Sequence, residues 1–394
     1  MPSHTTHHTP ALRFPGYTGV WEQHKFSDFT WNAGKRNKDN LDLEAFAITN
    51  DRGFIRQNEA HDEFGYMKNT DRRAYNIVEP YSFAYNPARI NVGSIGYYEG
   101  TEDVIVSSLY EVFKTADYID DRFLWHWLKS DQFPQWITKL QEGSVRLYFY
   151  YDKLCECQML MPSLDEQKKI ATLFDNLDDR IDLHQRQTEK LTELKQGLLQ
   201  NMFPREGESV PRLRFPGFTT TWEQKEMQDI CHYSKTHSEG NRFIGVEDLH
   251  QEFAGVNFDE NRRGNGITYQ QGDTLMSNIR PYLKKTWLAD CDGVCSSDVL
   301  VFSPDTVAPD YLHRIISSEH FVSSVMSAAK GSKMPRGDKY QMMKMKVMIP
   351  SLSEQKQIGS FFRTLDDLLA LHEQYTVKLT QLKKGLLQKM FPQD

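Results

Sequence analysis

Two stretches of the chain carry apolar or semi-apolar residues at alternating steps of three and four. Leu177, Ile181, His184, Thr188, Leu191, Leu194, Leu198 and Met202 form one stripe. Leu365, Leu369, His372, Thr376, Leu379, Leu382, Leu386 and Met390 form the other. A period near 3.5 residues is that of helices packed along a seam. Ser163 with Glu166, and Ser351 with Glu354, have capping-box spacing just after a proline and place the helix starts. Phe203-Pro204 and Phe391-Pro392 place the ends. Each helix then has about 38 residues, or ~57 Å at 1.5 Å per residue. Alone, either helix would leave its stripe in water, whereas two can bury each other's. The expected packing residues are Leu177, Ile181, Leu191, Leu198, Leu365, Leu369, Leu379 and Leu386. The His and Thr positions read as polar seam residues that fix register.

The two stripes belong to a repeat. Pro162 to Pro204 aligns with Pro350 to Pro392 without a gap, and 26 of 43 positions match. A shorter pair supports it: LRFPGYTGVWEQ from Leu12 recurs as LRFPGFTTTWEQ from Leu213. The segments between, Trp21 to Met161 and Trp222 to Ile349, share little. Boundaries follow: 1–161, a first segment; 162–204, a central helix; 205–349, a linker and second segment; 350–394, a C-terminal helix. PREGESVP, between the halves, is too short to span ~57 Å at ~3.5 Å per residue, so the helices are expected antiparallel. Because LRFPG follows the first helix, the end of the second is expected near the start of the first half.

Both segments read as mixed α/β. Val78 to Tyr98 and Gly272 to Ala289 carry short β-type runs broken by Asn, Gly and Pro, while Tyr118 to Phe133 and Asp310 to Met326 carry helical periodicity. Weak cousins recur: Asn86 to Arg89 beside Asn278 to Arg280, Ser107-Ser108 beside Ser296-Ser297, and Gly143 to Arg146 beside Gly331 to Arg336. The class is therefore α+β: one mixed fold used twice, on two long antiparallel helices with pseudo-twofold symmetry.

Composition narrows the function. The chain has 394 residues, 39% hydrophobic, with a formal net charge of −7. That argues against a non-specific polyelectrolyte binder and leaves local patches open. Five scattered cysteines imply no disulfide framework and fit a reducing cytoplasm. No apolar run approaches ~20 residues, so no membrane span is expected. The opening residues lack a charged–apolar–small pattern, so secretion is not expected, and His4, His7 and His8 read as a polar terminus rather than a metal tract. No P-loop, glycine-rich cofactor loop or HExxH is present. Cys155, Cys157, Cys291 and Cys295 lack companions at zinc spacing. Asp178-Asp179 and Asp366-Asp367 lie on the long helices and read as helix flank. Asn86-Pro87-Ala88-Arg89 lacks the second proline and the aromatic of an amino-methyltransferase loop. No catalytic residue, metal or cofactor is expected.

What remains is polar recognition chemistry on loops. Asn86, Arg89, Arg146, Asn278, Arg280, Lys284, Lys333 and Arg336 fall in Gly/Asn/Pro-rich contexts beside short strands. Arg can fork onto guanine, Asn can pair with adenine, and Lys can neutralise phosphate. A solvated charge is the plainer reading of any one of them; recurrence at matching places in both segments favours a DNA-binding role.

The frame resembles the DNA specificity subunit of type I restriction–modification systems. The resemblance rests on P-S-x-x-E-Q-x-x-I entering a long helix after a variable segment, twice, and covers nearly the whole chain. It implies two target-recognition domains, Trp21 to Met161 and Trp222 to Ile349, and two spacer helices. It also implies a non-enzymatic subunit binding double-stranded DNA with two methyltransferase (modification) subunits and motor–nuclease (restriction) subunits. G-x-x-M-P-R, Gly331 to Arg336, is similar to a loop common in such domains; the first segment departs from it, with Gly143-Ser-Val-Arg146 alone. The rival reading is a two-headed structural or interaction protein without nucleic acid.

Overall fold

The computed structural model describes residues 9–50, 52–60, 72–143, 147–205, 207–253, 255–257, 259–331 and 333–392. It forms two compact units. Unit 1 comprises residues 1–184 with 375–394, and unit 2 residues 185–374. Each unit holds one mixed α/β segment, one half of the long helix Leu164–Met202 and one half of the long helix Leu352–Met390.

The two units repeat one plan. In unit 1 a four-stranded antiparallel sheet runs Thr30–Asn32, Glu111–Thr115, Ser82–Tyr85, Ile95–Tyr98. In unit 2 the same order is taken by Cys231–Tyr233, Val299–Pro304, Thr274–Ser277 and Thr286–Leu288. These strands are short and rich in β-branched and aromatic residues, as a half-buried pleated surface favours. Two short helices follow in each unit, Asp121–Leu128 with Gln132–Leu140 and Pro309–Ile316 with Glu319–Ser327. The strand entering each long helix pairs antiparallel with the strand that opens the segment: Glu22 faces Met161, and Glu223 faces Ile349.

The repeated residues build the frame. Arg13 of the first LRFPG lays Nε and Nη2 on the two oxygens of Glu166, at 2.7 Å each, and Glu166 is 1% exposed. Arg214 of the second LRFPG grips Glu354 with the same two nitrogens at the same distances. The serine half of the expected capping box is present at the second helix, where the Glu354 amide donates to Ser351 Oγ at 3.4 Å. The carboxylate half, at Glu166 and Glu354, is corrected by this fork, since a planar guanidinium satisfies both carboxylate oxygens, which a lone backbone N–H cannot. The neighbouring glutamines cap the short helices. Gln167 Oε1 accepts from the Asp120 amide and Gln355 Oε1 from the Ala308 amide, each at 2.9 Å.

Each unit pairs opposite ends of the long helices, so they run antiparallel within it. In unit 1 Phe174 stacks near Phe391, Asp178 meets Lys383, and His184 lies flat against Tyr375. In unit 2 Lys195 meets Asp366 and Phe203 packs on Phe362. The expected closure is present: the Leu12 amide donates to Lys389 O, and the Leu213 amide to Asn201 O, both at 2.8 Å.

Leu177 and Leu365 are buried, and Leu379 and Leu386 pack on the core of unit 1 as Leu191 and Leu198 do on that of unit 2. Ile181 and Leu369 are partly buried. Leu194 and Leu382, included in the expected stripe, are each 51% exposed. A strict seven-residue step from Thr188 and Thr376 gives their seam place to Lys195 and Lys383, whose stems lie in the seam while the ammonium groups reach Asp366 and Asp178. Trp21 and Trp222 of the short repeats sit in the two aromatic cores.

Candidate nucleic-acid interface

In each unit the central sheet ends in an Asn-led loop. Asn86 follows the strand Ser82–Tyr85 and Asn278 follows Thr274–Ser277. A second loop closes beside it, sealed by an antiparallel bridge between Glu142 and Tyr148 in unit 1 and between Lys330 and Arg336 in unit 2. The two loops are tied together. In unit 1 the Phe149 amide donates to Pro87 O at 3.1 Å. In unit 2 the Arg280 amide donates to Pro335 O at 2.8 Å, and Ile279 bridges Arg336.

Gly143 and Gly331 open the second loops at φ of 130° and 93°, a region open to glycine at no steric cost. Arg280 and Lys284 adopt φ of 51° and 54° without that freedom, on either side of the 3-10 turn Pro281–Leu283. Such conformations in non-glycine residues cluster at functional loops.

The side chains divide sharply. Arg89, Arg280, Lys333 and Arg336 are exposed. Arg336 is steadied by Asp298, Nη1 to Oδ1 at 2.7 Å. Lys284 is held by Glu252 and Glu319 at 2.8 and 2.6 Å, and these carboxylates raise its pKa. Asn278 is 6% exposed, and its side-chain carbonyl has no hydrogen-bond partner. Asn86 turns its Oδ1 back to accept from the Ala88 amide at 3.0 Å. Asn278, Arg280, Lys333 and Arg336 thus share one loop pair, while Lys284 lies at its flank in a carboxylate clasp. Arg146 lies outside the described residues.

Topology also revises a pairing drawn from sequence. The residue of unit 1 in the bridge position of Arg336 is Tyr148, and Tyr148 stacks on Tyr150 with rings 5.5 Å apart and 2° from parallel. At that bridge position unit 2 therefore carries a cation and unit 1 an aromatic stack. Asp298, Tyr148 and the Arg13 and Arg214 clamps were missed. Only the clamps left a readable trace, an Arg and a Glu that are duplicated together.

Some cations elsewhere are neutralised locally. Lys35 and Lys114 both bind Glu79, whose carboxyl they hold down at about 2. Arg262 binds Glu247 and Asp248. Among the described residues no cluster of His, Cys, Asp or Glu is suited to a metal, and no helix is long and apolar enough to cross a membrane. The arrangement offers exposed guanidinium and ammonium groups on paired loops, chemistry suited to phosphate oxygens and the acceptor edge of guanine.

Comparison with known proteins adds a family. The family model described as type I restriction modification DNA specificity domain matches twice, over residues 32–193 and 220–381. The MjaVIII type I restriction enzyme specificity subunit of Methanocaldococcus jannaschii is 20% identical over 323 residues, covering 75% of each chain. The EcoDI specificity subunit of Escherichia coli is 22% identical over 305 residues, covering 68% of each. The crystal structure of a type I restriction–modification S subunit from M. genitalium superposes with a TM-score of 0.66 at 13% identity, covering 98% of this chain and 100% of that one.

Proposed function

The chain belongs to the type I restriction–modification DNA specificity family, and from that membership we propose that it is the subunit that reads a bipartite, asymmetric double-stranded DNA target. Each recognition domain, within residues 1–161 and 205–349, reads one half-site. The long helices of 162–204 and 350–394 set the unspecified gap, which we place at ~5–8 base pairs on the footing of one duplex turn between readers. Two copies of a methyltransferase subunit dock on the duplicated frame, motor–nuclease subunits complete the assembly, and the chain itself performs no chemistry. The cytoplasm is its compartment.

One observation carries this reading. A single fold occurs twice with the same frame contacts, yet its paired loops differ: both first loops keep an arginine, Arg89 and Arg280, while the second loop has Tyr148 in unit 1 where unit 2 has Arg336. A frame kept constant under changing loops suits one kind of partner and two different half-sites.

Methylome sequencing of cells carrying the gene with its genomic neighbours tests the proposal. The expected result is a gapped methyl-adenine motif that disappears when this gene alone is deleted. Unchanged methylation would count against it and favour a two-headed interaction protein. Methyl transfer by the purified chain alone would make it an enzyme.

A further inference from the structure

Each segment meets the long helix that follows it through one short helix, Asp121–Leu128 in unit 1 and Pro309–Ile316 in unit 2. The glutamine contacts to Asp120 and Ala308 fix a constant correspondence between the two joints. Arg122 corresponds to Asp310, Ala171 to Gly359, and Asp175 to Arg363.

The joints are alike in geometry and opposite in charge. In unit 1 the short helix supplies the cation: Arg122 Nε lies 2.9 Å from Asp175 Oδ1, and Nη2 lies 2.5 Å from the same oxygen. In unit 2 the long helix supplies it: Arg363 Nε lies 2.6 Å from Asp310 Oδ1. The joints also differ in size. A Cβ placed on Gly359 would lie 2.5 Å from the Asp310 Cβ and 3.3 Å from the Tyr311 amide nitrogen. Ala171 keeps its Cβ in the same place in unit 1, buried at 3% exposure. Glycine inside a helix is unfavourable relative to alanine, and the approach of Pro309–Ile316 is the reason this one is needed.

We propose that each joint is an address, so that a segment accepts only the opening turns of its own long helix. The exchangeable recognition module therefore extends past the helix start, to Asp175 in the first half and Arg363 in the second. Exchanging the segments at Pro162 and Pro350 sets Arg122 against Arg363. It also sets Asp310 against Asp175 and against the Ala171 Cβ. Exchanging them after Leu177 and Leu365 carries each address along and leaves a frame whose buried residues match in both halves, as in Met202 with Met390. This property belongs to the fold and stands whether or not the segments read DNA.

Two full-length chimaeras test it, one with junctions before Pro162 and Pro350, the other with junctions after Leu177 and Leu365. The late-junction chain is expected to melt near the parent, and the early-junction chain about 5 °C or more below it. Adding A171G, D175R, G359A and R363D to the early-junction chain restores its midpoint. Equal midpoints for the two chimaeras would overturn the proposal. Should neither fold, the parent chain decides through D310R, R363D and the pair together. The expected result is that each single substitution lowers the midpoint and the double recovers at least half the loss. Additive losses in the double would overturn the address.

Discussion

Arg336 offers its guanidinium to solvent while Asp298 fixes its direction, and no buried contact depends on its charge. Arg336→Ala is therefore expected to leave the thermal midpoint nearly unchanged and to cost ~1–3 kcal/mol at one half-site. Competition binding with each half-site altered in turn checks this, and an equal loss at both would assign Arg336 a structural role. Arg13 is the opposite case. Glu166 has almost no solvent exposure, so Arg13→Ala leaves a buried carboxylate unpaired and is expected to cost ~3–5 kcal/mol by chemical denaturation, as is Arg214→Ala through Glu354. Histidines add a pH term. Burial holds the imidazole of His126 below its ordinary range, against the pull of Asp175 and Asp178 and with the help of Lys383. Burial does the same more strongly to His313, beside Arg314, Lys195 and Arg363. A histidine kept neutral in the fold disfavours folding once the unfolded chain can protonate. Stability should thus be intact above about pH 6.5 and fall as the pH drops below it. Thermal scans from pH 7 to 5 should show that slope, and a shallower one in H126Q/H313Q. At this scale the sequence was least informative. Asn278 looked like a base reader and is buried, while Tyr148 takes the place of Arg336 through a strand bridge that no local pattern signals.

The long helices were legible because a 3.5-residue stripe is a physical demand on the sequence: a packed seam needs apolar side chains at regular steps. The errors were also physical. Leu194 and Leu382 fit the stripe but are exposed, since a lysine stem with a carboxylate in reach fills the seam position as well as leucine does. Gly197 and Gly385 make the same point from the other side. A Cβ at either meets nothing within 4 Å, so the fold itself gives no reason for glycine. Gly197→Ala and Gly385→Ala are each expected to stabilise the chain by ~0.5–1 kcal/mol, read by denaturant titration, because alanine loses less backbone entropy on joining a helix. A loss of stability at either site would mean that its helix bends there under load. The short strands of the segments were far less legible than the helices. Runs of three or four residues, such as Asn76–Val78 and Cys231–Tyr233, acquire their meaning from sheet neighbours distant in sequence.

The duplication made the molecular plan readable before any coordinate, since two copies of one frame in a chain constrain each other. On the proposed reading it also sets how the chain should meet DNA. The net charge is −7, and among the described residues the exposed cations of the candidate loops are Arg89, Arg280 and Lys333, with Arg336 shared with Asp298. Each phosphate neutralised contributes a slope of about −0.9 in log affinity against log salt. Four such contacts contribute about −4 to the slope of the isolated chain, against a background repulsion from its net negative charge. Fluorescence anisotropy on a duplex containing the methylated motif, between 50 and 200 mM salt, should therefore show weak and shallowly salt-dependent binding for the chain alone. Adding methyltransferase subunits should both tighten binding and steepen the slope, because phosphates around the two half-sites then gain further cations. Tight, steep binding by the chain alone would place a large basic surface outside these loops and remove the need for partners to close on the duplex.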